Sequence, residues 1–177
     1  MKQDPRTVDA FNAAKAHRGV TKEIVGPQHN QQIVDFFKAV GHGWIKDDET
    51  AWCAAFVGAM LSEAGLEGTG KLNARSYLDW GEPIDLNEAK PGDIVVFWRV
   101  NPNSWQGHVG FYVNHGATVV SVLGGNQDNE VNIKPYKKDV LLGVRRLRAT
   151  SMQEESVTKP ASSLIQVLTN LIRRLLK

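Results

Sequence analysis

The sequence has a single cysteine, Cys53, among its 177 residues, so the chain cannot form an internal disulfide. This cysteine usage is typical of a protein kept in a reducing compartment, and it leaves the thiol free for chemistry. The first residues lack the apolar run of a secretory signal peptide, and no stretch approaches the roughly 18 apolar residues of a membrane-spanning helix. These absences predict a soluble chain that is stored in a cytoplasm.

Charge is unevenly distributed along the chain. All 19 acidic residues lie at or before Glu155, together with 17 of the 21 basic residues. The other four basic residues follow it, at Lys159, Arg173, Arg174 and Lys177. The body is therefore slightly acidic and carries no basic stripe with interleaved aromatic residues, which argues against nucleic acid as a partner.

Hydrophobic periodicity changes near the middle of the chain. Helical spacing of apolar residues predicts helices over residues 4–17, 30–40, 53–64 and 74–80. After Pro91-Gly92, short β-branched and aromatic runs predict strands over residues 94–98, 109–113, 118–123 and 141–147. Helices followed by strands indicate an α+β fold, and Asn114-His115-Gly116 predicts a hairpin between the second and third strands.

Three residues in chain order have the types that amide hydrolysis by a thiol needs. Cys53 begins an apolar helix, where backbone N–H groups favour a thiolate and where Asp47 to Thr50 are predicted to cap the helix. His108 lies between glycines at the start of a strand, and Asn126 follows Gly124-Gly125. They could act as nucleophile, base and orienting amide. Each also has a structural reading, as a buried thiol, a strand-end histidine bonded to a carbonyl, or a turn asparagine.

Four segments resemble the signature blocks of CHAP-type cysteine peptidoglycan hydrolases, which belong to the papain-like group and include phage endolysins. These segments are Ala51–Val57, Lys90–Phe97, Gly107–Tyr112 and Gly124–Gln127. The likeness extends from about Gly19 to Leu147. It implies a papain-like fold with N-terminal helices packed on a small antiparallel sheet, and cleavage of an amide bond in peptidoglycan. The roles it implies are nucleophile for Cys53, general base and then acid for His108, and imidazole orientation for Asn126, with no cofactor.

The resemblance leaves the bond and the biological setting open. A peptide bond in the stem or cross-link is the expected target, and the alternative is the amide between the sugar and the peptide. An endolysin that waits in the host cytoplasm is the expected setting, with a secretion-system effector or an autolysin as alternatives. Two other classes remain, a wall-binding module without turnover and a membrane-active peptide on an inert domain. Trp52, Trp105 and Gln127 are the expected substrate contacts, with Trp105 at the cleft rim.

Several polar residues could be metal ligands or catalytic groups, but each also has a structural interpretation. No metal site is predicted. Asp93 could be a catalytic acid, but an aspartate between Gly92 and a strand is more typical of a turn. The acidic residues at 47–49 lack the alternating spacing of a calcium loop. A zinc site from Cys53, His108 and His115 is disfavoured because no short-spaced ligand pair exists.

The last residues form a separate segment. Residues 1–148 are predicted to be the hydrolase domain, 149–163 a polar linker, and 164–177 an amphipathic helix. Its leucine-rich face and its basic face, with Arg173 and Arg174, favour binding to an anionic membrane or to lipopolysaccharide. Docking on the protein's own core and self-association are the alternatives. The chain is expected to be a monomer.

Overall fold

The structure, a computed structural model, describes residues 1–149, so the predicted helix over 164–177 and nearly all of the predicted linker lie outside the described residues. Within this range three α-helices come first, α1 (Pro5–Ala16), α2 (Gln31–Ala39) and α3 (Cys53–Glu63). Asp4 caps α1, as predicted, and Asn30 caps α2. No helix in this range is long and apolar enough to cross a membrane. The predicted fourth helix is present as a 3₁₀ helix, Ala74–Asp79, capped by Asn73.

Helix α3 begins without a side-chain cap, so the prediction that Asp47 to Thr50 cap it is wrong. Its N-cap is Trp52, whose side chain makes no capping hydrogen bond. The Asp48 carboxylate is buried and instead accepts from the backbone N–H groups of Ile24 and Asn30, in the loop between α1 and α2. Asp48 therefore holds that loop, whereas Asp47 accepts from the backbone N–H of Thr50 in its own turn.

The second half of the domain is a six-stranded sheet with the order β1-β6-β2-β3-β4-β5. All neighbouring strands are antiparallel, and β3 and β4 form the predicted hairpin. The strands are β1 (Glu82–Ile84), β2 (Ile94–Trp98), β3 (Gly107–His115), β4 (Val119–Gln127), β5 (Glu130–Lys137) and β6 (Leu141–Arg146). The sequence did not predict β1 or β5. Helices packed on an antiparallel sheet confirm the predicted α+β class.

Helix α3 is the central element of the core, because every residue from Cys53 to Leu61 is buried. The larger apolar cluster joins α3 to α1, α2 and one sheet face, through residues such as Phe37, Phe56 and Phe111. A smaller apolar cluster lies on the other face of the sheet, because its residues alternate along the strands with those of the larger cluster. It includes Val95, Val122 and Val144.

The start of α3 lies directly against β4. A Cβ atom added at Gly125 would be 2.4 Å from Cζ3 of Trp52 and 2.8 Å from Cβ of Phe56. Only a residue without a side chain fits at this contact. Close packing at Gly125 therefore sets the position of Cys53 relative to the sheet.

Candidate active site

Cys53 is the first residue of α3 and lies beside β3. Its side chain is buried, and burial raises the pKa of the thiol. A hydrogen bond from the backbone N–H of Val109 opposes this rise in the pKa, because it favours the thiolate. Val109 follows His108 in β3, so this contact places the thiol against the strand that carries the histidine.

His108 is completely buried on β3, and its two ring nitrogens have different surroundings. Nε2 lies 2.9 Å from Oε1 of Gln127. Nδ1 is buried and has no hydrogen-bond partner among the described residues. The ring also stacks on Tyr136 of β5, with centroids 5.0 Å apart and planes 12° apart. Two contacts therefore fix the ring, and Nδ1 is the nitrogen left for proton transfer.

The amide of Gln127 determines which nitrogen of His108 carries the proton. Its Nε2 donates to the backbone oxygen of Asn132 at 2.8 Å and to Oδ1 of Asn132 at 2.9 Å. The amide oxygen is thus left to accept, which requires a proton on Nε2 of His108. The neutral ring then keeps a lone pair on Nδ1, as a general base needs.

Among the described residues the hydrogen bond to the His108 ring comes from Gln127 and not from Asn126, so the predicted orienting role of Asn126 is wrong. The pairing of β4 with β5 shifts register between Gly124 and Gln127, and Asn126 has a left-handed backbone with φ of 55°. This bulge interrupts the alternation of the strand and brings the next side chain to the buried histidine. Gly124 leaves room for the bond, since a Cβ there would be 3.2 Å from Nε2 of His108.

Two of the residues around His108, Asn132 and Tyr136, lie on β5, which the sequence pattern does not predict. Asn132 holds the Gln127 amide, and its own Nδ2 donates to the Gln127 backbone oxygen at 2.9 Å. Tyr136 lies between His108 and Phe97, whose ring centroid is 4.7 Å away. The pattern from Val131 to Tyr136 has β-branched residues, but its charges and Pro135 obscure it.

Electrostatics favour the uncharged forms of both reacting groups. Burial, assisted by the charges of Arg99 and Lys134, lowers the pKa of His108 to about 3, against a raising effect of the Gln127 hydrogen bond. The Cys53 pKa is shifted upward, mainly by the same loss of water. Loss of water therefore favours a neutral thiol on Cys53 and a neutral imidazole on His108.

A cavity of about 260 Å³ opens at Cys53. Its lining includes Trp105, whose side chain is 73% exposed, so the structure places this residue at the rim as predicted. Trp52 is fully buried and its Nε1 donates to Glu23 at 2.8 Å. Gln127 is also buried, with its amide committed to His108 and Asn132. The expected substrate contacts of Trp52 and Gln127 are therefore wrong.

The remaining polar candidates have structural partners. Asp93 is buried in an ion pair with Arg146, at 2.7 Å, and also accepts from the backbone N–H of Lys90, as its turn reading requires. His115 is bonded to the Tyr112 hydroxyl at 2.8 Å. Residues 1–149 contain no group of three or more His, Cys, Asp or Glu side chains arranged to hold a metal ion.

Comparison of the sequence with protein families and with curated proteins finds no match. Comparison of the structure finds similar folds. RipB, a peptidoglycan hydrolase from Mycobacterium tuberculosis, matches with a TM-score of 0.51 at 17% identity, over 82% of this chain and 66% of that chain. NlpC1 from Trichomonas vaginalis matches with a TM-score of 0.51 at 19% identity, over 81% of this chain and 45% of that chain. The P60 domain of a Mycobacterium avium subspecies paratuberculosis antigen matches with a TM-score of 0.50 at 12% identity, over 82% of this chain and 96% of that chain.

These neighbours are NlpC/P60 domains of the papain-like group, and at such low identities the likeness shows the fold alone. The chain spans less than half the length of NlpC1, at 45%, and 66% of RipB. The predicted papain-like fold is confirmed at this level, and its CHAP variant is not distinguished.

Proposed function

We propose that this chain hydrolyses an amide bond of bacterial peptidoglycan by a thiol mechanism. The observation that carries the proposal is the environment of His108. A buried imidazole is held by Gln127 and Tyr136 with its Nδ1 unpartnered among the described residues, on a strand that packs against the helix beginning at Cys53. RipB is named a peptidoglycan hydrolase, which supports the choice of polymer.

In the proposed reaction, the sulfur of Cys53 attacks the carbonyl carbon and its proton passes to Nδ1 of His108. The N–H of Cys53 has no acceptor within the helix and can stabilise the oxyanion. The imidazolium then gives its proton to the leaving amine, and a thioester forms on Cys53. Water, deprotonated by the neutral imidazole, attacks the thioester, the C–S bond breaks to release the carboxylic acid product, and the proton on Nδ1 returns to the sulfur of Cys53. The Gln127 oxygen accepts from Nε2–H throughout the cycle.

The proposed target is a peptide bond in the stem or cross-link. We further propose that the chain is a CHAP-type, endolysin-like enzyme. The resemblance of the segments around Cys53, Asp93, His108 and Gly124 to CHAP signature blocks supports this choice. No cofactor takes part in the proposed steps. Cleavage at the sugar–peptide junction uses the same chemistry and would be recognised by its products.

Binding to an anionic membrane or to lipopolysaccharide is proposed for residues 164–177. The support comes from the sequence pattern, in which leucines alternate with polar positions at helical spacing and Arg173 and Arg174 add positive charge. Such a segment would keep the enzyme near its polymer.

The bond can be identified from the products. Purified peptidoglycan is digested with the wild-type protein, and the new amino and carboxyl termini are assigned by mass spectrometry. A new amino-acid terminus within the stem or cross-link is expected. Free lactyl carboxylates on the sugar would instead assign the amidase reaction. Binding to the polymer without new termini would mean that the chain is a wall-binding module and that the proposal is wrong.

A further inference from the structure

Arg99 is a cation without an acidic partner in the cavity that contains Cys53. It follows β2 directly and lines this cavity together with Trp105 and Asn73. None of the lining residues, all within the described part of the chain, is acidic. Arg99 also forms no salt bridge within residues 1–149. The site that would hold the substrate is therefore positive and uncompensated.

The contacts of Arg99 keep its charge near the reacting groups. The charge of Arg99 acts to lower the pKa of Tyr136, and the Tyr136 ring stacks on His108. The positive charge lowers the pKa of Cys53 and also that of His108. Arg99 is thus close enough to affect both members of the proposed catalytic pair.

This charge helps one part of the proposed reaction and hinders another. It favours negative charge on sulfur, but it disfavours the imidazolium that forms when Nδ1 takes the proton. The ionisable groups that act on or stack against His108 are Tyr136 and Lys134 from β5, and Arg99. Lys134 is paired with the Asp128 carboxylate, whereas Arg99 is not paired. An anion bound at Arg99 would offset the remaining unfavourable charge.

We propose that Arg99 binds a carboxylate of the substrate peptide next to the scissile amide, so that the enzyme selects acidic peptides. This inference rests on the proposed function and names its substrate class. The guanidinium can hold a carboxylate through two parallel hydrogen bonds, and Trp105 provides an exposed ring on the same cavity. The bound carboxylate would increase kcat as well as affinity, because it stabilises the imidazolium formed in the reaction.

The test compares two forms of one peptidoglycan stem peptide, with free carboxylates and with the carboxylates converted to primary amides. We expect wild-type kcat/KM to be about ten- to a hundredfold higher for the acid form, the range of a charge-assisted hydrogen bond. Arg99→Gln should remove this preference, and Arg99→Lys should retain part of it. Lys134→Gln is the matched control, since it removes a paired cation outside the cavity and should keep the preference.

A second arm measures binding of both peptides to Cys53→Ala and to Cys53→Ala/Arg99→Gln by calorimetry. Tighter binding of the acid form that disappears with Arg99→Gln supports the carboxylate site even if no peptide is cleaved. Equal binding and equal cleavage of the two forms would overturn it and leave the hydrolase proposal intact. Cleavage of neither peptide nor whole peptidoglycan would instead refute the proposed function, and the binding arm would still decide the role of Arg99.

Discussion

The burial of His108 makes a specific prediction for the pH dependence of activity. The pKa of this imidazole is lowered from 6.5 to about 3, so the neutral base persists as the pH falls below 6.5. The acid limb of kcat/KM should therefore lie well below pH 6.5, provided that the protein remains folded. A pH profile on a soluble peptide, with folding followed by circular dichroism, measures this limb. A limb near pH 6.5 in folded protein would mean that the imidazole is hydrated.

Gln127 and Asn126 make a matched pair of variants for the orienting contact. Gln127→Ala removes the acceptor for Nε2 of His108 and should lower kcat on the order of a hundredfold, since the tautomer is no longer fixed. Asn126→Gly keeps the left-handed backbone at φ of 55° and should leave kcat nearly unchanged. Steady-state kinetics on both variants, with thermal unfolding as the folding control, make the comparison. The opposite order of effects would restore the role to Asn126.

Residue types and their order were enough to select Cys53 and His108 as candidates, and their catalytic roles stay a prediction. A cysteine at the start of an apolar helix and a histidine between glycines before a strand are local patterns. The third residue depends on the register of β4 with β5, and the bulge between Gly124 and Gln127 changes which side chain faces the histidine. Sequence alone contains no direct signal for that shift, so the prediction missed by one position.

At the scale of elements, the contact of α3 with β4 should be sensitive to a single methyl group. Gly125→Ala would place Cβ 2.4 Å from Trp52, and we expect a loss of about 1–3 kcal/mol in the free energy of unfolding. Gly116→Ala is the control, because nothing lies within 4 Å of its added Cβ and the change should stay within about 0.5 kcal/mol. Urea denaturation of both variants gives the difference. Equal stability would show that the contact at Gly125 is loose.

The helices and the central strands follow from periodicity, but β5 does not. Its residues Asn132, Lys134 and Lys137 interrupt the apolar pattern, and Pro135 is tolerated because β5 lies at the edge of the sheet. Since β5 supplies Asn132 and Tyr136, missing this strand also meant missing the residues that support Gln127 and His108. Pairing across the sheet, rather than local preference, makes this segment a strand.

At the scale of the whole molecule, the basic residues near the end of the chain predict a separable function. The double variant Arg173→Glu/Arg174→Glu should lose most binding to vesicles that contain anionic lipid, at roughly 1 kcal/mol for each charge removed near the surface. Cleavage of a soluble stem peptide should be unchanged. Vesicle co-sedimentation and peptide hydrolysis on the same preparations measure the two properties. Undiminished vesicle binding would refute the membrane proposal for residues 164–177.

The most direct test of the thiol mechanism is the clearing of purified peptidoglycan by three proteins. These are the wild type, Cys53→Ala and His108→Ala, with thermal unfolding used to confirm that each variant is folded. Turbidity should fall with the wild type, and neither variant should clear the suspension at a measurable rate. Clearing by folded Cys53→Ala at the wild-type rate would contradict the thiol mechanism, because no acyl-enzyme could then form at this position.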